Sequence, residues 1–308
     1  MTTAWRQRRF VRVIGVAVTM LAAIAMLAAL IYRERVALLT YDWRLQWELL
    51  LPAFVLLGIG LALAGHVWAR IMAGLGSSVA RLAHLRYYVL SHLVQRLPGT
   101  LWYVASRAYF YQQHGDSMRL VTVASSVELV MLALSGGLTT LLFWSFALRN
   151  LSENYLILLG ITVAVSLAAS HPATVRWLMH RVGLHDAPDL TFRQVLGWLT
   201  EYILIWLLGG VMFFFLANVV TPVPLTELSY VVGCWSLVGT MSVIVFFLPT
   251  NFGFTEVGLS VLLSAIMPSS VAVLVAVMSR IMILLFEIIL AALFSGAIAL
   301  RQRVTGMP

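Results

Sequence analysis

The 308-residue sequence contains no lysine: all 20 of its basic residues are arginine. It has one cysteine, Cys234, and only 10% charged residues, whereas soluble globular chains carry about 25%. A single cysteine excludes an intramolecular disulfide and a cysteine metal cluster; Cys234 lies in an apolar run and reads as a small core residue. So little charge excludes a water-soluble packed fold. Nucleotide and hydrolase signatures are also missing: there is no GxxxxGK[ST], no GxSxG, and no paired acids beside a nucleophile. The seven histidines, His66 and His92 among them, lack HExxH spacing, and no Asp-rich pair suggests magnesium–diphosphate chemistry. No enzyme activity, catalytic residue, cofactor, metal or nucleic-acid partner is expected.

What is present is apolar surface. Hydrophobic residues make up 61% of the chain and mean hydropathy is +0.95. About 20 apolar residues cross roughly 30 Å of hydrocarbon, and spanning runs are predicted at 12–32, 49–68, 120–145, 154–170, 195–217, 229–248 and 270–299. The connections are too short for a soluble module, so residues 1–308 form a single polytopic membrane domain. The first run follows Arg6, Arg8, Arg9 and Arg12 as a secretory signal would, but it lacks a small-residue cleavage pattern and reads as a retained helix.

Two segments are irregular. Residues 86–111, RYYVLSHLVQRLPGTLWYVASRAYFY, break at Pro98-Gly99 and carry Arg96 and Arg107. Each arm of about ten residues reaches about 15 Å, half the hydrocarbon, so a re-entrant hairpin is expected. Residues 248–268 carry Pro249, Gly253 and Gly258 before a helical stretch, and they complete a crossing as a broken helix. With the N-terminus inside, this arrangement puts most arginines in inside regions: 6, 8, 9, 12, 70, 81, 86, 96, 107, 119, 176, 181, 193, 301 and 303. Only Arg33, Arg35, Arg44 and Arg149 remain outside. The expectation is an all-α integral membrane protein of about eight transmembrane helices, with both termini cytoplasmic, in the cell inner membrane.

Each irregular segment opens with Leu-Pro and is followed by two in-membrane charges, Arg107 and Glu128 in the first, Glu256 and Arg280 in the second. Chance matches and diverged inverted repeats, over halves 1–150 and 151–308, both stay open. Ionisable groups inside spans cost about 2.5–3.5 kcal/mol each, which singles out Glu128, Glu201, Glu256, Arg280 and Glu287. Arg280 and Glu287 are too far apart for direct contact. Glu256 could meet Arg280, and Arg107 could meet Glu128. Such pairs either hold helices together or place arginines to receive a lipid phosphate. Asn251, Thr250 and Thr255 around Gly253 either expose N–H groups to an anion or cap a helix. Trp43, Trp47, Trp102, Tyr103 and Trp144 read as interface markers. The Ala69–Arg86 stretch reads as a positive-inside loop.

LPGTLWYVASR (97–107), SSVELVMLAL (125–134) and LPTNFGFTEVGL (248–259) before Arg280 resemble the lysylphosphatidylglycerol synthase transmembrane-region family, including its flippase-like stand-alone members. The resemblance covers nearly the whole chain through its segment order. It places that family's motif residues on Leu97, Pro98, Gly99, Arg107, Glu128, Pro249, Gly253, Glu256 and Arg280. The chain departs from the pattern at Leu129, Thr250, Asn251 and Thr255.

What these readings imply is a lipid flippase or lipid-binding transporter. An anionic phospholipid or polyprenyl phosphate head group would meet Arg107, Glu128, Asn251, Glu256 and Arg280, with Pro98, Gly99, Pro249 and Gly253 opening the cleft. The alternative is a non-catalytic membrane partner that presents lipid to a soluble synthase or glycosyltransferase.

Overall fold

The computed structural model describes residues 32, 35–41, 43, 45–94, 102–147, 153–181, 183, 189–244 and 253–305. Nearly all of the expected 12–32 span lies outside these residues, as do Pro98, Gly99, Pro249 and Asn251. Among the described residues every element is helical. In lipid a helix satisfies each backbone N–H and C=O within its own segment, which an open sheet edge does not.

The helices are α1 (Arg35–Thr40), α2 (Leu50–Gly74), α3 (Arg81–Val94), α4 (Trp102–Gln112), α5 (Met118–Ala147), α6 (Glu153–Ala169), α7 (Pro172–Arg181), α8 (Phe192–Val220), α9 (Leu228–Ile244), α10 (Phe254–Leu263) and α11 (Ser269–Thr305). Their starts follow local chemistry. Thr191 caps α8 reciprocally: its hydroxyl accepts from the Gln194 N–H at 3.3 Å, and the Gln194 side chain accepts from the Thr191 N–H at 2.8 Å. Pro172 occupies the first position of α7 and Pro268 immediately precedes α11, sites where a missing N–H breaks no helical hydrogen bond.

The chain is a multi-pass helical membrane protein. Five helical stretches are long and apolar enough to cross: Trp47–Gly74, Met118–Trp144, Phe192–Val220, Leu225–Ile244 and Ser269–Leu290. Asn154–Ala169 and Pro172–Arg181, bent by 59°, make a sixth if they count as one span. The expected count of about eight is therefore not met. One of the eight is the undescribed 12–32 run. Another is the broken segment, of which α10 supplies only ten residues, about 15 Å of rise; residues 245–252 lie outside the described set.

The first irregular segment does form two short helices. α3 and α4 have 14 and 11 residues, about 21 and 16 Å, too short to cross. They pack on each other, and Ser77 before α3 donates to Asp116 after α4 at 2.5 Å. Both ends of this pair therefore lie at the same level, as a hairpin requires. At the other broken segment, Tyr230 in the first turn of α9 donates to the Leu262 carbonyl near the end of α10 at 2.9 Å. α10 thus runs back toward the end at which α9 begins.

The bundle is organised around α8, which packs against α2, α5 and α9, while α5 and α9 lie along one another. Helices in lipid gain little from apolar burial and associate through close packing and small residues. Here the close approach centres on Trp206 of α8. Its indole N–H donates to the Leu132 carbonyl and the Ser135 hydroxyl, both at 3.1 Å, which fixes the ring. A Cβ on Gly239 would lie 2.3 Å from that ring, and one on Gly136 would lie 2.9 Å from it and 2.0 Å from the Thr240 hydroxyl. Three hydroxyls along this seam are satisfied within their own helix, Ser135, Thr139 and Thr140 donating four residues back at 2.6, 2.8 and 2.8 Å, while that of Thr240 is buried without a hydrogen bond. Outward faces of α6 (Ile157, Ile161, Val165) and α11 (Ile281, Leu285, Ile289) are exposed and apolar, as lipid contact requires.

Replacing Gly239 by Ala forces the seam apart, and thermal unfolding in detergent should show a loss of about 1–3 kcal/mol. The matched control is Gly160→Ala on α6, where a Cβ meets nothing within 4 Å and stability should hold or rise.

Candidate functional site

Four of the five sequence-selected binding residues fall into two ion pairs, and the fifth, Asn251, lies outside the described residues. Each pair joins the short helix that follows a break to the long helix after it. Arg107 on α4 binds Glu128 on α5, and Glu256 on α10 faces Arg280 on α11. Glu128 is ten residues into α5 and Arg280 eleven into α11, about 15 and 16 Å of rise, which puts both near the middle of a 30 Å hydrocarbon layer.

The first pair is sealed. Arg107 and Glu128 are each 2% exposed. Nη1 of Arg107 donates to Glu128 Oε2, Nη2 reaches Oε1 at 3.5 Å, and Nε donates to the Ser91 hydroxyl at 2.9 Å. Three aromatic faces enclose the guanidinium, with ring centroids at 4.0 Å (Trp68), 4.7 Å (Tyr88) and 5.1 Å (Tyr103). Each such contact adds about 0.5–2 kcal/mol, more when desolvated. In this conformation Arg107 presents no face to a lipid phosphate; it ties α3, α4 and α5 to α2. Tyr103, read from sequence as an interface marker, is instead a wall of this cage.

The cage continues toward the hairpin base. The Trp68 indole donates to the Tyr111 hydroxyl at 2.8 Å, and that hydroxyl meets His84 Nδ1 at 2.5 Å. His84 sits in the first turn of α3, outside the spans. Burial pushes its imidazole below the ordinary value, partly offset by Asp116, and its Nε2 has no hydrogen-bond partner.

The second pair is open. Glu256 is 2% exposed, and its Oε2 accepts from the Gly253 N–H at 2.7 Å and the Thr255 hydroxyl at 3.0 Å. The chain reverses into α10 at Gly253 with φ +89°, a backbone region that favours glycine. The start of α10 is therefore capped by the protein's own carboxylate. Glu256 Oε1 stands 3.4 Å from Arg280 Nε without a hydrogen bond. Arg280 is 24% exposed at its side chain and lines a cavity of about 60 Å³ with Trp235, Thr255, Glu256 and Ser279. That volume holds a few waters, not a head group.

Glu287 does not join Arg280. It is 5% exposed and lies 3.4 Å from His92 of α3, linking the hairpin to α11. Glu201 of α8 pairs with Arg70, which corrects the loop reading of 69–86, since Arg70 sits within α2. The sequence reading missed Trp68, Tyr88 and Ser91. Helical spacing held part of the signal: Tyr88 and Ser91 are three apart, and Tyr103 precedes Arg107 by four, so each couple shares a face.

Removing one partner of a buried pair costs about 3–5 kcal/mol, while replacing both with apolar groups costs far less. Glu128→Ala should therefore unfold at markedly lower temperature, and Arg107→Met with Glu128→Leu should recover most of the loss. The His84 imidazole binds a proton less readily folded than unfolded. Below its ordinary value of 6.5 the unfolded chain takes up a proton that the folded chain resists, so stability falls as pH drops. His84→Gln should flatten that acid limb in pH-dependent unfolding.

Neither a protein-family model nor a curated protein sequence matches this chain.

Proposed function

We propose that the protein binds and moves a lipid with a phosphate-bearing head group, anionic or polyprenyl-linked, by way of the Glu256–Arg280 pair. The observation that carries this reading is the half-open state of that pair. A mid-span arginine that borders a cavity and stands 3.4 Å from its carboxylate, without a hydrogen bond to that oxygen, is the cationic group a phosphate entering there would meet. Ile281 beside it is half exposed, so a head group can enter sideways while its tails stay among the lipids. Entry requires α10 to move against α9, because the cavity is smaller than a head group. As a half-helix beside a break, α10 is suited to that movement.

The repeat reading supports the same picture. The pairs occupy matching places after the two breaks with their signs exchanged, as diverged halves 1–150 and 151–308 would have them. One half then supplies a fixed post, the sealed Arg107–Glu128 cage, and the other a moving gate. On the arginine distribution the hairpin opens to the cytoplasm, the termini are cytoplasmic, and the membrane is the cell inner membrane. The likeness of the Leu-Pro segments to the lysylphosphatidylglycerol synthase transmembrane region belongs to this reading, as does a lipid-modifying enzyme as partner.

The test is reconstitution in liposomes containing head-group-labelled anionic lipids, following access of inner-leaflet label to an external quencher. Wild type should exceed empty liposomes, and folded Arg280→Ala and Glu256→Gln should fall toward them. Equal rates for wild type and empty liposomes across a lipid panel would sink the translocase and favour a lipid-presenting partner.

A further inference from the structure

A second polar site lies away from both mid-span pairs, where the C-terminal end of α2 meets the N-terminal part of α8. A cavity of about 270 Å³ opens there, lined by Arg70, Ala73, Gly74, Gln194 and Trp198. That is over four times the volume at Arg280 and close to the roughly 300 Å³ at which small-molecule pockets begin. The polar side chains of this lining can only donate. Guanidinium and indole groups have no acceptor. The one acceptor, Gln194 Oε1, is taken by the Thr191 N–H at 2.8 Å and the Thr191 hydroxyl at 3.0 Å, which leaves Gln194 its amide N–H groups to offer. Arg70 donates from Nη1 to Glu201 Oε1, and no described residue accepts from its Nε or Nη2. The side chain is 36% exposed. Nε and Nη2 form the side edge of the guanidinium, where two parallel N–H groups match two oxygens of one phosphate. Nη2 rests over Gly197, where a Cβ would come within 3.3 Å, so the fork is held against α8. Glu201 does not line the cavity and its Oε2 is buried, so the carboxylate orients Arg70 from the protein side.

We propose that this cavity binds a phosphate group, that of an anionic phospholipid in the adjoining leaflet, on the Nε–Nη2 edge of Arg70 with the Gln194 amide as a further donor. A phosphate on that edge lies nearer the guanidinium than the carboxylate on its other side, so attraction prevails. The donor-only lining selects among head groups. A zwitterionic head group would bring an ammonium close to Arg70 with no lining side chain to accept from it, whereas a phosphate linked only to hydroxyls brings no second positive charge. The depth agrees with a lipid source. The spans Trp47–Gly74 and Phe192–Val220 have 28 and 29 residues, about 42 and 44 Å of rise, so each exceeds a centred 30 Å hydrocarbon layer by about 6–7 Å at either end. Arg70 is four residues from the end of the first and Gln194 two from the start of the second, about 6 and 3 Å, which is head-group level. Trp198, six residues into α8, lies just inside it, where indoles favour the interface. This site shares no residue with the Glu256–Arg280 cavity, and its test reads retention, not transport.

Native mass spectrometry of the purified, delipidated protein, equilibrated with equal amounts of phosphatidylglycerol, phosphatidylethanolamine and phosphatidylcholine of matched chains, measures that retention directly. Wild type should keep the glycerol lipid about tenfold over the choline lipid, the worth of one charge-assisted hydrogen bond. Gln194→Glu keeps the oxygen that caps α8 and so completes the same capping box, but it exchanges an amide donor for a carboxylate at the cavity. Its retention of the glycerol lipid should fall about tenfold while thermal unfolding confirms the fold. Arg70→Lys keeps a charge for Glu201 but loses the planar fork, and retention should fall in the same direction. Arg280→Ala should leave the share of retention that depends on Gln194 unchanged, which separates this site from the transport cavity. Competition with soluble glycerol phosphate distinguishes the sources: displacement identifies the tail-free phosphate as sufficient, and its absence identifies the lipid. Equal retention of glycerol and choline lipids by wild type would overturn the proposal. So would a glycerol-lipid preference undiminished in folded Gln194→Glu or in folded Arg70→Lys.

Discussion

The Arg107–Glu128 ion pair in its aromatic cage is the constraint on which one half of the bundle depends. Two charges near mid-membrane are tolerable only if each satisfies the other. The groups that complete the site come from four helices: Trp68 from α2, Tyr88 and Ser91 from α3, Tyr103 from α4 and Glu128 from α5. In a medium that offers helices little apolar driving force, this chemistry decides which helices meet. The hairpin is short because it has only to carry Arg107 to that depth and return, and Ser77 and Asp116 close it at its base.

The other mid-span pair obeys the same electrostatics at a longer separation. Glu256 spends one oxygen on the start of α10 and presents the other to Arg280 at 3.4 Å without a hydrogen bond. Under the proposed lipid movement the first pair would be the post and the second the gate. The His92–Glu287 contact joins them, since one partner lies on the hairpin and the other on α11, two turns beyond Arg280.

Tight packing holds the frame against which such movement would occur. Trp206 is fixed by its hydrogen bonds to α5 and wedged against glycines of α5 and α9, so α5, α8 and α9 behave as one block. α6 is mostly exposed and stands at the margin, where its apolar side chains serve as lipid contact and not as core.

Much of the architecture was legible in the sequence because lipid imposes crude, strong rules. Scarce charge and apolar runs of spanning length required helices, and the in-span charges marked their own importance through their cost. The pairings of Arg107 with Glu128 and of Glu256 with Arg280 followed from spacing around the breaks. Periodicity along one helix carries no information about which faces meet across the bundle, and that is where sequence reading stopped. Only the tertiary structure brought Trp68, some forty residues away, over Arg107, and turned Tyr103 from a presumed interface marker into a cage wall. It alone drew Arg70 out of a presumed loop onto Glu201, and it alone made one charge pair sealed and the other open. Composition settles that a chain must live in a membrane; the complementarity of side chains distant in sequence decides what its buried charges do there.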